Sequence, residues 1–569
     1  MGDRGRSGGT DPGERSLKAA AALWRGLAEG GIRRAVLSPG SRSTPLALAA
    51  RLCPFIEIRM LPDERCAAYF ALGQARAEDR PVAVVATSGT APANWYPAVI
   101  EAAMDQVPLV MISADRPPEL LRTGANQTIE QDHLFGRYAR EFIQLPAPES
   151  DDDGAYLSSG RLAADRSLRP TPGPVHINFA FREPLLPGKN AAVPSWPAPA
   201  PADPRRLRPR PDTAVLMELA SMVSRGPGVI VCGRSWYNPG FPSAVSALAE
   251  RLACPVIADP LSGLRWGSHD RSRIVTGADL VLRRADGGPK PAWVLQFGGV
   301  PTSRTVQEWV EAAIDRLVLV TGGGDRPDPC RRSSLAVEAD PEAVVTGLLE
   351  LDLSAAGVEW RTRWQELDAA ACRLATDPGL RPPEADVVRS LETALPPGTA
   401  LFLGSSMPIR AMDVFARGRS DPIVAFGNRG ASGIDGCVST VAGLASCRPT
   451  VGLIGDLTLY HDMNGLLASR TTPGKLVVIN NGGGGIFGLL PYRDHPDFER
   501  LWLTPTDLDC GKIAGLYGLV HTVAHPGEEL AAAVAQPGDD RATLLIEVPV
   551  DAEESWDRHR ALWEAASDL

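Results

Sequence analysis

No two of the nine cysteines form a C-x-x-C pair; they are scattered from Cys53 to Cys510. That scatter and the odd count suit reduced core thiols better than a disulfide framework or a thiolate zinc site. No uninterrupted apolar run approaches the ~18 residues that a membrane helix requires. The opening MGDRGRSGGTDPGER lacks an apolar stretch, so residues 1–15 read as a loose tail and not a signal peptide, and a cytoplasmic location is expected. Positive charge is also short. The 58 Lys and Arg residues against 68 Asp and Glu leave a net charge of −10. Basic and aromatic residues are not interleaved, which disfavours a nucleic-acid surface while leaving room for a local basic pocket that takes an anionic small molecule. No short-period repeat is visible.

What the chain does contain is ordinary for a soluble globular protein: 44% apolar and 22% charged residues. At 569 residues it is too long for one core and suggests about three domains. Helical spacing over 17–27 leads to a short apolar run at 35–37, which stops at Ser38-Pro39-Gly40; Pro45 then suits the first turn of a helix over 46–52. Further strand-like runs lie at 82–86, 109–112 and 175–179. Strands alternating with helical patterns indicate a parallel α/β sheet, whose carboxyl-edge loops then carry Ser41, Arg42, Thr87, Ser88, Arg116, Asn126 and Gln127. Residues 186–212, rich in Pro, Ala and Arg, read as a linker. A second α/β block has strand-like runs at 228–232, 256–258, 293–297 and 317–320, and no G-x-G-x-x-G follows any of them, so its glycine clusters read as turns. The expected boundaries are 16–185, 213–365 and 385–569 for the three domains, with a second linker at 366–384.

The third block, with runs at 401–403, 423–426 and 544–548, contains the stretch on which the chemistry is centred, GDLTLYHDMNGLLASRTTPGKLVVINNGGGGIF. An apolar run at 450–454 ends in Gly455-Asp456, a periodic segment follows around 463–467, and the run 476–479 ends in Asn480-Asn481 and four glycines. In such a strand–helix–strand unit the two strands are parallel, so Asp456 and Asn481 emerge at the same sheet edge. A carboxylate and an amide oxygen beside a glycine-rich backbone suit Mg²⁺ holding a diphosphate; Gly-Asp and Asn-Gly are equally common turn punctuation.

Arg42, Arg116, Arg410 and Arg429 all follow strand-like runs and are flanked by small or turn-forming residues. Arginine suits bidentate carboxylate recognition, and four in matching positions on an acidic chain point to a substrate with several carboxylates. Asp63-Glu64-Arg65 precedes an amphipathic helix and reads by itself as a helix N-terminus. GNRGASGIDG, with the isolated apolar Ile434, allows close backbone approach to a ligand, although Ile434 suits a core plug equally.

Taken together, SPGSRSTPLALA, PDERCAAYFALG, ATSGTAPANWYPAVIEA, SADRPPEL, TGANQTIEQ, GVPTSR, SSMPIR, GNRGASGIDG, GDLTLYHDMNGLL and NNGGGGIFGLLP resemble the thiamine diphosphate-dependent enzymes. Within them the chain is similar to the transferases of menaquinone biosynthesis that join 2-oxoglutarate to isochorismate. Three positions and one spacing depart from the family pattern. Leu457 stands where many members have a third glycine, Ser405 where asparagine is frequent, Thr305 where a second basic residue is expected, and the gap from Asp456 to Asn481 is slightly short.

The resemblance implies three consecutive α/β domains with mainly parallel sheets, pyrimidine-binding and diphosphate-binding domains flanking a central one. It implies thiamine diphosphate and Mg²⁺, or Mn²⁺ in its place, with Asp456, Asn481 and the Gly483 carbonyl as metal ligands and Gly455 in the same motif. Ile434 would support the cofactor in a bent shape, and Glu64 would meet its pyrimidine ring. Ile486, Phe487 and Leu490 would keep water out. Arg42, Arg116, Arg304, Ser406, Arg410 and Arg429 would bind the substrate carboxylates, with Ser41, Asn126 and Gln127 orienting substrate or relaying protons. A homodimer, or a dimer of dimers, is implied as well.

Overall fold

A computed structural model describes residues 11–189, 192–198, 206–312, 316–324, 326–538 and 540–569. Among them, parallel strands form three six-stranded sheets that follow one another along the chain. The first contains β1 (Arg34–Leu37), β2 (Glu57–Met60), β3 (Val82–Ala86), β4 (Leu109–Asp115), β5 (Glu141–Leu145) and β6 (Pro174–Ala180), in the order β2-β1-β3-β4-β6-β5. The second contains β7 (Gly228–Cys232), β8 (Val256–Ala258), β9 (Ile274–Val275), β10 (Trp293–Phe297), β11 (Leu317–Thr321) and β12 (Ser333–Glu338), in the order β12-β11-β10-β7-β8-β9. The third contains β13 (Ala400–Leu403), β14 (Val424–Phe426), β15 (Thr450–Gly455), β16 (Gly474–Asn480), β17 (His521–Val523) and β18 (Thr543–Pro549), in the order β14-β13-β15-β16-β18-β17. Position for position, this repeats the order of the first sheet.

Central strands such as VAVVA and LVMISAD are buried at every residue. Sheets covered by helices on both faces require such continuous burial. Each sheet has a point where the winding moves outward on both sides, between β1 and β3, β7 and β10, or β13 and β15. At such a point the loops leaving the strand ends part and leave a crevice, which is where α/β folds bind ligands. The loops at 38–43 and 87–91 therefore flank the crevice of the first sheet, and those at 404–406 and 455–456 flank that of the third.

The packing units cut across this consecutive order. Among the described residues, those of 11–207, 428–447 and 462–469 make one compact unit, and those of 208–427, 448–461 and 470–569 make the other. Within the first, the helix Glu64–Glu78 crosses the helix Cys437–Ala445 through a pair of glycines. A Cβ on Gly73 would stand 2.2 Å from the Thr440 carbonyl oxygen, and one on Gly443 would stand 2.1 Å from that of Phe70. Only residues without a side chain permit this approach. The second unit has a continuous core that includes Val229, Trp309 and Trp364 of the central block and Leu401, Ile409 and Leu453 of the last.

Three local details differ from the sequence expectations. Residues 12–15, expected within a tail, are the first turn of the helix Pro12–Glu29, with Pro12 at its start and the Asp11 side chain accepting from the Glu14 N–H. Residues 366–376, expected within a linker, continue the helix Val358–Thr376, which buries Trp364, Ala371 and Ala375. The segment expected to be periodic around 463–467 is broken into a helix Asp456–His461, a 3₁₀ turn Met463–Gly465 and a helix Leu466–Ser469. The described parts of 186–212 carry neither helix nor strand. There Arg206 pairs with Asp79 at 2.6 Å and Arg208 with Asp340 at 3.1 Å. No helix among the described residues is long and apolar enough to cross a membrane.

Candidate active site

The loops of the first sheet bring together five of the expected residues. Gly40 passes so close to β3's loop that a Cβ there would lie 2.3 Å from Thr87 Cβ, and this contact fixes the turn carrying Ser41 and Arg42. Ser41 is exposed and Arg42 buried. The Arg42 guanidinium donates to the Phe181 carbonyl at 2.9 Å and pairs with Glu183 at 3.2 Å. Arg116 donates to Ser88 Oγ and, at 2.9 Å, to the Asn126 carbonyl. Gln127, held at a positive φ of 55°, donates from its amide to the Ser88 carbonyl at 3.1 Å. Burial lowers the Arg42 pKa, and the nearby charge of Arg116 lowers it further. Two guanidinium groups that repel one another at a crevice favour an anion between them.

Behind these loops lies a polar network that sequence reasoning missed. Asn178 on β6 accepts from Gln131 at 2.7 Å and donates to Asp115 at 2.8 Å, while the Gly89 N–H donates to Gln131 at 2.9 Å. Its signal in the sequence is polar residues, Ser113, His176 and Asn178, inside strands that are otherwise apolar. Burial pushes His176 down to about 3, so its ring is neutral at physiological pH.

Glu64 is the first residue of its helix, but it does not cap it. The cap is Asp63, whose carboxylate accepts from the Cys66 N–H at 3.1 Å. The helix-terminus role therefore belongs to Asp63. Glu64 is half-buried; burial raises its pKa and the Asp63 charge raises it further. The first unit also contains the loop that carries Arg429 and Ile434, both half-buried. Two clamps hold this loop. The Gly430 and Ala431 N–H groups donate to the two oxygens of Glu101 at 2.9 and 2.7 Å, and Tyr69 donates to Asp435. Gly436, at φ 65°, lies under the Tyr69 ring, where a Cβ would come within 2.0 Å.

Glu101 is 2% exposed and pairs with Arg76 at 2.8 Å, which in turn pairs with Asp105 at 2.8 Å. Removing one member of a buried, hydrogen-bonded pair strands the other charge. Glu101→Ala is expected to lower the unfolding free energy by about 3–5 kcal/mol in urea titrations. A loss below about 1 kcal/mol, the scale of an exposed pair, would mean that the clamp does not hold the loop.

The crevice of the third sheet holds the remaining group. After β13, Ser406 has a φ of 73° and starts the helix Met407–Phe415. That backbone region costs a non-glycine residue about 1–3 kcal/mol, and such strain clusters at ligand-holding turns. Arg410 braces the turn by donating to the Ser406 carbonyl at 2.8 Å. Across the crevice β15 ends in Gly455, and Asp456 starts the helix that follows. The Asp456 carboxylate is buried; Oδ1 accepts from the Leu457 N–H at 2.7 Å, while Oδ2 has no partner. Burial raises its pKa, opposed by N–H groups of Leu457, Gly483, Gly482 and Asn481.

The glycine run is shaped by close approaches. A Cβ on Gly483 would lie 2.3 Å from the Leu503 carbonyl oxygen, on Gly484 2.6 Å from that of Trp502, on Gly485 2.3 Å from the Asn481 amide nitrogen, and on Gly488 2.0 Å from the Trp556 indole. Trp556 Nε1 donates to the Gly485 carbonyl at 2.6 Å, and Ile486 and Phe487 sit half-buried on the short helix Gly485–Leu489, with Leu490 exposed beyond it.

These residues fit a metal diphosphate. A buried carboxylate oxygen without a partner calls for a cation or a donor. Asn481 and Gly483, on the turn after β16, carry further oxygens of the hard kind, the Gly483 carbonyl accepting from the Gly485 N–H at 2.9 Å, and apart from their chain neighbours no atom lies within 4 Å of where a Cβ on Gly455 or Gly482 would stand. Among the described residues no cluster of three or more His, Cys, Asp or Glu offers a competing metal site. Arg304 stands apart: it is exposed on the helix Arg304–Ala312 and pairs with Glu308 of the same helix at 2.6 Å.

The chain is similar to known proteins along nearly its whole length. The family "Thiamine pyrophosphate enzyme, N-terminal TPP binding domain" matches residues 17–134, and "Middle domain of thiamine pyrophosphate" matches 209–403. A 2-succinyl-5-enolpyruvyl-6-hydroxy-3-cyclohexene-1-carboxylate synthase from Geobacillus kaustophilus is 42% identical over 97% of this chain and 98% of its own. The synthases of the same name from Geobacillus thermodenitrificans and Dechloromonas aromatica are each 40% identical, covering 96% and 95% of this chain and 96% and 99% of their own. With such similarity along almost its whole length, the chain belongs to the 2-succinyl-5-enolpyruvyl-6-hydroxy-3-cyclohexene-1-carboxylate synthases, a family of thiamine diphosphate-dependent enzymes.

Proposed function

We propose that this chain decarboxylates 2-oxoglutarate and adds the remaining four-carbon unit to isochorismate, releasing CO₂ and the product for which its relatives are named, as a step of menaquinone biosynthesis in the cytoplasm. Thiamine diphosphate supplies the carbanion chemistry that decarboxylation and carbon–carbon bond formation need. The observation that carries the reading is the unpartnered, buried Asp456 oxygen at a sheet crevice whose neighbouring strand ends in a closely packed glycine turn. Asp456, Asn481 and the Gly483 carbonyl would hold the metal, Mg²⁺ or Mn²⁺. Glu64, with its raised pKa, suits a carboxyl group that exchanges a proton with the cofactor's pyrimidine ring. Ile434 would support the cofactor, and Ile486, Phe487 and Leu490 would exclude water from the reacting carbons.

Both substrates are dicarboxylates, which accounts for the arginines. Arg42 and Arg116 at one crevice, Arg410 beside Ser406 at another, and Arg429 on the clamped loop would each meet a carboxylate; Ser41, Asn126 and Gln127 would orient the acceptor. Arg304, already paired on an exposed helix, has the weakest case in this set. Measuring CO₂ release from 2-oxoglutarate with and without isochorismate tests the reading. Release that depends on isochorismate and yields an adduct supports it; rapid release without isochorismate would favour a simple 2-oxoacid decarboxylase.

Arg410→Ala is expected to raise the KM of one dicarboxylate by a factor worth about 1.5–3 kcal/mol, the range for hydrogen bonds to charged groups. Steady-state titration of each substrate against a saturating second one would show it. Small, equal effects on both would reduce Arg410 to its structural bond with Ser406.

A further inference from the structure

The helix start that carries Glu64 is tied down by a segment from a distant part of the chain. Asp462 is completely buried, at 0% exposure. One of its oxygens, Oδ2, accepts from the Ser439 N–H at 2.7 Å, at the start of the helix Cys437–Ala445. The other, Oδ1, lies 3.6 Å from the Cys66 thiol and 3.9 Å from the Arg65 guanidinium. Two residues on, the Asn464 amide donates to Asp63 at 2.9 Å. The neighbours of Glu64 in the chain, Asp63, Arg65 and Cys66, are thus all held by residues 462–464.

We propose that Asp462 is a positioning residue for Glu64: its buried carboxylate locks the first turn of the Glu64 helix against the start of the helix that follows the Ile434 loop. The inference rests on reading Glu64 as the carboxyl group that serves the cofactor. A carboxylate with no exposed surface persists only where donors meet it from several sides, and here the donors come from two different helices. Burial pushes Asp462 up to about 6, so the group is charged at neutral pH and its bonds are charge-assisted. Gly465 belongs to the same joint: a Cβ there would lie 2.6 Å from Ser439 Oγ and 3.1 Å from Asp462 Oδ2, so the 3₁₀ turn can seat against the helix start only as glycine. A joint this tight leaves the Glu64 turn little freedom. Small displacements of a proton-transferring group cost far more in rate than in stability.

The test compares Asp462→Asn with wild type and with Glu64→Gln, all as full-length protein supplied with thiamine diphosphate and Mg²⁺. Asparagine keeps the volume and one acceptor oxygen but puts N–H groups where the carboxylate accepted. Hydrogen–deuterium exchange at amides 65–67 and 439–440 should rise at least about tenfold in Asp462→Asn and stay at the wild-type level in Glu64→Gln. Its kcat should fall by about ten- to a hundredfold, the effect typical of residues that orient a functional group, while both KM values move by less than about threefold. Unchanged exchange at 65–67, or a wild-type kcat, overturns the proposal. A normal rate for Glu64→Gln overturns the reading of Glu64 and the proposal with it, whereas a slow Glu64→Gln beside a normal Asp462→Asn overturns the proposal alone. If Asp462→Asn does not fold, Asn464→Ala carries the test: faster exchange at 65–67 with a lower kcat supports the joint, and wild-type behaviour in both overturns it.

Discussion

Chelating the divalent metal and dialysing away thiamine diphosphate is expected to abolish turnover, and restoring both is expected to return it. No protein side chain stabilises a carbanion at the carbon that has just lost CO₂, so the residues can position and protect the reaction but cannot replace the cofactor. The metal is required for a separate reason. A diphosphate brought to Asp456 places its charge beside a buried carboxylate, and only a cation between them turns that repulsion into attraction. Adding either component alone should therefore leave the stripped protein inactive. Full activity after stripping would overturn the assignment.

Glu64→Gln preserves shape and removes the ionisable group, and it is expected to slow turnover by at least about 10²-fold, the usual contribution of general acid–base catalysis. A near-normal rate would reduce Glu64 to part of a helix start, a role that Asp63 already fills. The same variant tests assembly. The family resemblance implies a homodimer in which each site would take Glu64 from one chain and Asp456 from its partner. A Glu64→Gln protein and an Asp456→Ala protein, each nearly inactive, would then form mixed dimers in which one site carries both lesions and the other neither. Random reassortment makes about half the dimers mixed, so activity should recover to about a quarter of wild type. If subunits exchange and no activity returns, Glu64 and Asp456 serve a site within one chain.

Legibility in the sequence followed burial. Every strand at the centre of a sheet was visible as an apolar run, because both its faces are covered. The strands that escaped notice, β2, β5, β9, β12 and β17, all lie at sheet edges. EIRM, EFIQL, SSLAVE and HTV alternate or mix polarity because one side of each meets water, and β9 is only two residues long. The single edge that was read, β14, is the apolar VAF. Among candidate site residues the turns were easy, since glycine, asparagine and arginine after a strand stand out. Charged residues within apolar helical or turn segments did not. Nothing in the sequence singles out Glu101 in YPAVIEAAM or Asp462 in YHDMNG, and only the fold shows that both are buried joints.

The crowded glycine turn after β16 bears on how proteins of this architecture can change. Every missense change at a glycine codon adds a side chain, and at Gly483, Gly484, Gly485 and Gly488 the space for even one carbon is already filled by backbone or by Trp556 and Asn481. The proposed diphosphate cradle would thus be written in main chain and would offer natural variation nothing to adjust. On that reading new substrate preferences would arise elsewhere, in the loops where Ser41, Arg116, Asn126 and Arg410 stand and where one side chain can replace another without moving the glycine turn. Inheritance would keep the chemistry fixed and let the choice of acid drift.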